Sequence, residues 1–281
     1  MHLHWMAIWP NFWVHAPFAA DPKLFLSIRL YHGLQRNDVR RSTMPTTLCP
    51  QRRKPETMST QELVEVAWVR KDEPGAEAVG RFVQAIYLER YGARIALPAG
   101  PFLVLRDPHG RVRAALALRR GQAPFFLEHY LDAPVETVLP GASAARETIV
   151  EVGSLAADIT GGARALVVTL TAFLAACGMQ WVVFTARREL RNTFARLGIE
   201  LHALAPAQAE RLPGGGRDWG TYYADDGAPQ VMAGAVPQGA MAVRKAVGDV
   251  QAPLLALWLR GLALGCGLGA QDLARRAQCP H

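Results

Sequence analysis

Three short stretches of this 281-residue chain carry side chains able to do chemistry. Glu151 is the single acid in the apolar run Thr148 to Gly153, where Ile149, Val150 and Val152 surround it. A carboxylate taken out of water must be paired with a cation, or its pKa rises toward neutrality. Glu151 is therefore either half of an ion pair, with Arg146 or another arginine, or a general base. Gly161-Gly162-Ala163-Arg164 is the second stretch. Two glycines let the backbone approach a ligand, and the first N–H groups of the helix that follows suit an anion such as a pyrophosphate; a plain Gly-Gly helix entry is the alternative. Third, the adjacent Tyr222 and Tyr223 follow Trp219-Gly220, and supply phenolic proton donors and a stacking wall, or simple packing.

The elements that must position these groups are legible in the hydrophobic pattern. Alternation predicts a strand from Thr148 to Gly153 with Ile149, Glu151 and Gly153 on one face. Leu166, Leu170, Phe173 and Cys177 at helical spacing predict a mostly buried helix from Arg164 to Ala176, closed by Gly178. Trp181 to Phe184 is a continuous apolar run, as expected of a strand covered on both sides. Strand, helix and strand form one βαβ unit with parallel strands. Neither GxGxxG nor GxxxxGK[ST] is present, so neither a dinucleotide fold nor a Walker loop is supported.

Around this unit, Val64, Val66 and Trp68 alternate as a strand, and Val79, Phe82, Val83 and Ile86 predict a helix ending at Tyr91-Gly92. Phe102 to Leu105 and Val112 to Leu118 flank the turn Asp107-Pro108-His109-Gly110, where His109 is read as a solvated turn residue. Phe125 to Pro134 is a compact aromatic segment, a candidate acyl pocket or ordinary core. Leu190, Phe194 and Leu197 predict a helix capped by Thr185, with Arg187, Arg188, Arg191 and Arg196 forming a basic face that is either solvated or docks an acidic partner. Strands are expected at Glu200 to Leu204 and Pro229 to Val236, with Gly214-Gly215-Gly216 as a flexible joint between them. Pro253 to Ala270 is leucine-rich, but Arg260 and four glycines favour a packing helix over a membrane span.

Composition narrows the function further. The net charge of +7 comes mostly from the first 57 residues, with 8 basic against 3 acidic side chains; the remainder has 23 against 21. A nearly neutral main domain argues against nucleic-acid binding. Cys49, Cys177, Cys266 and Cys279 show no ligand spacing, so neither a zinc site nor a disulfide framework is expected, which suits a cytoplasmic protein. Residues 1–57 hold interrupting prolines and no positive leader, so they are read as an N-terminal extension outside the fold, disordered or mis-assigned, with Met58 as the working start. Residues 58–240 are then the main domain and 241–281 a C-terminal helical segment for packing or an interface.

The order of elements resembles the GNAT N-acyltransferase fold, an α/β mixed sheet around a central parallel βαβ unit. More closely, FLEHYLDAPVE at 126–136, IVEVGSLAA at 149–157, WVVFTARRELRNTFARLGI at 181–199 and WGTYYADDGAPQVMAGAV at 219–236 resemble the thermostable hemolysin family, a bacterial group similar to the acyl-homoserine-lactone synthases that make autoinducers. The resemblance implies an acyltransferase whose co-substrate is an acyl-CoA or acyl-carrier-protein thioester, with no tightly bound cofactor, a small amine or hydroxyl acceptor, and possibly paired subunits. It implies Glu151 as base, Tyr222 or Tyr223 as donor to the departing thiolate, and Gly161, Gly162, Ala163 and Arg164 as the donor-binding loop. Two departures stand out: Asp158 occupies a position where GNAT enzymes carry Gln or Arg, which weighs against ordinary acetyl-CoA, and Ser154 replaces an expected Asn. The family name also admits a membrane-active protein, and a non-catalytic acyl-binding module is a third reading.

Overall fold

The computed structural model describes residues 63–278 apart from 97–99, 122–123, 142–143, 225–226 and 249–251, with backbone alone for 270–278. The expected extension at 1–57, Met58 as start, Cys49 and Cys279 lie outside the described residues.

In chain order the elements are β1 (Glu65–Val69), α1 (Ala76–Tyr91), β2 (Phe102–Arg106), β3 (Val112–Arg119), a 3-10 turn Phe126–Tyr130, α2 (Val135–Val138), β4 (Ile149–Ala157), α3 (Gly162–Ala176), β5 (Trp181–Ala186), α4 (Arg188–Arg196), β6 (His202–Pro206), β7 (Gln230–Ala235), α5 (Val236–Val247) and α6 (Ala252–Gln278). The strands form one sheet in the order β1-β2-β3-β4-β5-β7-β6. Among the described strands only β4 and β5 pair in parallel. This mixed α/β sheet around a parallel βαβ unit is the GNAT-like fold.

Alternation along β4 sends Val150 and Val152 to the face covered by α3, while Ile149 joins Phe125, Leu127 and Tyr130 on the other. Buried on nearly every side, α3 contributes Leu166 and Leu174 to the core, both almost wholly enclosed. Its outer side is sealed by α6, where Gly261 and Gly265 let the backbones approach. A Cβ added to Gly265 would lie 2.6 Å from the Phe173 carbonyl oxygen. Arg260 donates from its guanidinium to the Val64 carbonyl, tying α6 to the start of β1. The leucine-rich helix is therefore a cover for α3.

Several boundaries differ from expectation. β4 runs on to Ala157 because Ser154, at φ 54°, and Leu155 together oppose Leu116, between the pairs Ala117–Gly153 and Ala115–Ala156. Such a bulge shifts the side-chain alternation by one, which simple periodicity cannot anticipate. Thr185 lies within β5, and Arg187 holds the cap position of α4. Gly214, Gly215 and Gly216 all take left-handed backbone angles in one ordered turn (φ 78°, 63° and 69°), not an open joint. α5 follows β7 without a loop, and the expected boundary at 240 falls inside it.

Candidate active site

Pairing of β4 with β5 stops at Val152–Phe184, so beyond it the two parallel strands separate. Glu151 forms the next-to-last pair of this ladder, opposite Val183 of β5, and faces Arg119 of β3 on its other side. Its Oε2 accepts the Phe126 N–H at 2.9 Å and its Oε1 the Leu127 N–H at 2.8 Å. Arg119 Nη1 stands 3.6 Å from Oε2. Burial pushes the Glu151 pKa up, while the two amides and Arg119 act in the opposite direction. The sequence-based pairing with Arg146 does not form: Arg146 instead binds Glu128 at 2.8 Å and also Glu136.

Glu128 had no role in the sequence reading, yet it organises the same wall. It accepts the Phe125 and Val135 N–H groups at 2.7 and 3.0 Å, and the hydrogen bonds from Arg146 foremost hold its pKa down at about 2. Glu151 thus pins Phe126 and Leu127 against β4, while Glu128 ties the two ends of 125–135 together and joins them to Arg146 just before β4. The only sequence signal was an acid three residues after Phe125, the spacing of a helix-entry contact.

Over this floor lies an aromatic cap that joins distant parts of the chain. Phe126 meets Trp219 at 5.9 Å, Trp219 meets Tyr223 at 5.8 Å, and Tyr91 meets Tyr222 at 5.2 Å between ring centroids. Tyr222 Oη donates to the Thr185 carbonyl at 3.5 Å, at the first β5 residue past the β4 pairing. Tyr223 and Tyr130 share a hydrogen bond between their hydroxyls. Burial raises the pKa of both Tyr222 and Tyr223, so both remain protonated at neutral pH. Arg187, read from sequence as part of a basic face, turns inward and donates to the Thr221 and Tyr222 carbonyls. Thr221 N–H binds the Tyr91 carbonyl at 2.8 Å, which fastens the cap to the end of α1. Beside the cap, Tyr130, Leu131, Val138 and Leu204 line a cavity of about 240 Å³ that opens at β6.

The glycine loop lies at the other end of β4. Gly161 is left-handed at φ 78°, and Gly162 opens α3 two residues earlier than expected, packed so closely that a Cβ would lie 2.8 Å from the Ala157 Cβ. Arg164 sits in the first turn with its Nε buried and without a hydrogen-bond partner among the described residues. Asp158 is tied to Arg113 Nη1 at 3.0 Å, so its charge is matched from β3. Among the described residues no cluster of His, Cys, Asp and Glu has the makings of a metal site. His109 is exposed in its turn, as expected, while the buried Asp107 receives the His109 and Arg111 N–H groups at 2.9 and 3.0 Å.

Similar solved structures include apo TofI, at 15% identity over 64% of this chain and 96% of that one with a TM-score of 0.46. The acyl-homoserine-lactone synthase LasI aligns at 12% identity, 64% and 94% coverage and a TM-score of 0.46. FeeM, an N-acyl amino acid synthase from uncultured soil microbes, aligns at 13% identity, 62% and 92% coverage and a TM-score of 0.40. No curated protein matches the chain. Residues 69–240 match the model of the thermostable hemolysin family, and this span is more than half of the chain and holds the bulged strand, the glycine loop and the aromatic cap. The chain belongs to the thermostable hemolysin family.

Proposed function

We propose that this protein transfers an acyl group from a thioester, carried by CoA or an acyl-carrier protein, to a small amine or hydroxyl acceptor. The observation that carries the reading is a buried carboxylate, Glu151, at the point where two parallel strands part beneath a tyrosine-rich cap. The parted strands receive the thioester, and the N-terminal turn of α3 at Gly161, Gly162, Ala163 and Arg164 faces its phosphate. Because Arg113 is engaged by Asp158, the balance of charge at this loop favours the single phosphate of a carrier-protein prosthetic group over the pyrophosphate of CoA. The exposed Arg188 and Arg196 of α4 suit an acidic carrier surface. The acyl chain has room beside Tyr130 and Leu131.

In this mechanism Glu151 takes a proton from the acceptor through the lone pair that its amide partners leave open. The acceptor lone pair forms the new bond to the thioester carbon, the C–S bond breaks, and sulfur leaves with that electron pair. A tyrosine then protonates the sulfur. Tyr222 is the better placed of the two, since its hydroxyl reaches the parting strands while that of Tyr223 is held by Tyr130. Solvent returns the proton from Glu151 to the phenolate, so the net products are an acylated acceptor and a free thiol. Such donors place the reaction in the cytoplasm.

The test is a thermal-shift panel of CoA, acyl-CoAs of increasing length and an acylated carrier protein, followed by mass analysis of any stabilising mixture with candidate acceptors. A stabilising donor that is turned over supports acyl transfer. Binding without turnover under any acceptor leaves a non-catalytic acyl-binding module instead.

A second reading, a membrane-active protein, is favoured by α6, whose residues Ala252–Gly269 have the length and hydropathy of a membrane span. Inserting it requires breaking its seal on α3 and the Arg260 contact. Lysis that survives Glu151→Gln but needs α6 supports this reading; lysis lost with Glu151→Gln points to an acylated product.

A further inference from the structure

The floor beside Glu151 contains a second charged group that general-base chemistry does not use. Arg119 and Glu151 are directly opposed on β3 and β4, and Ala117 and Gly153 form the next pair along the same face. Glu151 already receives one backbone N–H on each oxygen, so Arg119, at 3.6 Å, is not needed to hold it. Among the described residues this is the single polar contact of Arg119, and its side chain is 41% exposed. A guanidinium carries five donors in a planar fork that fits a carboxylate. Next to the pair, Gly153 is exposed, and no atom lies within 4 Å of where its Cβ would stand. An anion, a cation and an open space thus share one small patch of sheet.

From this geometry we infer that the patch formed by Ala117, Arg119, Glu151 and Gly153 is the acceptor subsite, and that its acceptor is an amine bearing a carboxylate on the same or the next carbon, an amino acid or a close derivative. The inference rests on the acyl-transfer reading and narrows it. A neighbouring cation and anion match a molecule whose amino and carboxylate groups are equally close. The carboxylate docks on the free donors of Arg119, and the amino group then points to Glu151, which removes its proton as the nitrogen attacks the thioester. A bare amine or alcohol gains nothing from Arg119, and an anion without an amino group meets repulsion from Glu151.

The experiment compares phenylalanine with phenethylamine, and methionine with its decarboxylated amine, as acceptors for the full chain, with decanoyl-CoA and a decanoyl carrier protein as donors. The same acceptors are titrated by saturation-transfer NMR without donor. Wild type is expected to favour the carboxylated member of each pair by about 10- to 100-fold in kcat/KM, the effect of losing a charge-assisted hydrogen bond. Arg119→Met should erase that preference by raising KM for the amino acid, and Arg119→Lys should restore part of it; the lysine variant also serves if the methionine variant is unstable. Equal use of both members by wild type, or a preference that persists in Arg119→Met, overturns the subsite while leaving acyl transfer intact. If no acceptor is turned over, amino-acid binding that Arg119→Met removes sustains the subsite without the transfer reading. Absence of both binding and turnover for the carboxylated amines overturns it.

Discussion

Glu151 fastens Phe126 and Leu127, and the proposed mechanism asks it in addition to keep a lone pair for a substrate. Replacement by Gln keeps the side-chain volume and one acceptor oxygen. Glu151→Gln is therefore expected to leave the protein folded by circular dichroism and to lower acyl transfer by about 100- to 10,000-fold, the usual contribution of a general base. A variant with full turnover would remove Glu151 from the mechanism. Because burial raises its pKa, the deprotonated, active form is reached only above the ordinary carboxylate range, and kcat/KM should climb with pH through that raised value. Glu128 behaves in the opposite sense. Its folded pKa of about 2 lies below the unfolded value, so its stabilisation is complete above the unfolded pKa and fades as the pH falls toward 2. Glu128→Gln should cost about 2 kcal/mol near neutrality, allowing for partial solvent screening, and only a small part of that at pH 2, as read from urea titrations at both pH values. The sequence marked Glu151 because it was alone among apolar residues. For Glu128 it offered only the spacing from Phe125, because the other partners, Arg146 and Val135, lie outside its own turn.

At the scale of elements, two close approaches decide how the site is built. Gly220, at φ 52°, packs against the Tyr91 carbonyl with no room for a side chain. Gly220→Ala should dislodge the cap from α1, which near-ultraviolet circular dichroism would register as lost aromatic signal while the far-ultraviolet spectrum stays unchanged. The α3–α6 contact permits an internally controlled test. Gly265→Ala forces a methyl group against Phe173 and Ala176 and should destabilise by about 2 kcal/mol, within the range for overpacking. Gly267, two residues on, faces open space, and Gly267→Ala should stabilise by roughly 0.5–1 kcal/mol through helix propensity alone. Equal effects of the two substitutions in chemical denaturation would contradict the packing of α6 on α3. The buried character of α3 was legible because its apolar residues occupy almost every face. The bulge at Ser154 was not, because one extra residue changes the register without changing composition.

For the molecule as a whole, α6 is the element that covers the outer side of the βαβ unit. Leu254, Leu257 and Trp258 are buried, and they cover a helix that is itself apolar on its outer side. Burying a large apolar side chain is worth about 1.5–3 kcal/mol, so three of them match a large part of the net stability of an ordinary domain. A chain ending before Pro253 is expected to be insoluble or to bind a hydrophobic dye strongly, as measured by soluble yield and dye fluorescence. A soluble, compact truncated protein would show instead that α6 is free to serve elsewhere, including at a membrane.

By itself the sequence determined the parts whose signals are local: a parallel βαβ unit from the apolar runs, the α1 and hairpin boundaries from their turn residues, and Glu151 as the acid out of place. Even the family could be recognised, because its motifs recur in order along the chain. Tertiary structure alone decided which charges meet. Arg119 reaches Glu151 only through antiparallel register, Arg146 goes to Glu128 because the 125–135 segment folds back onto β4, and Arg187 turns inward because the 221–224 carbonyls await it. Ion pairing depends on distance in space, and residues far apart in the chain become neighbours only when the sheet assembles.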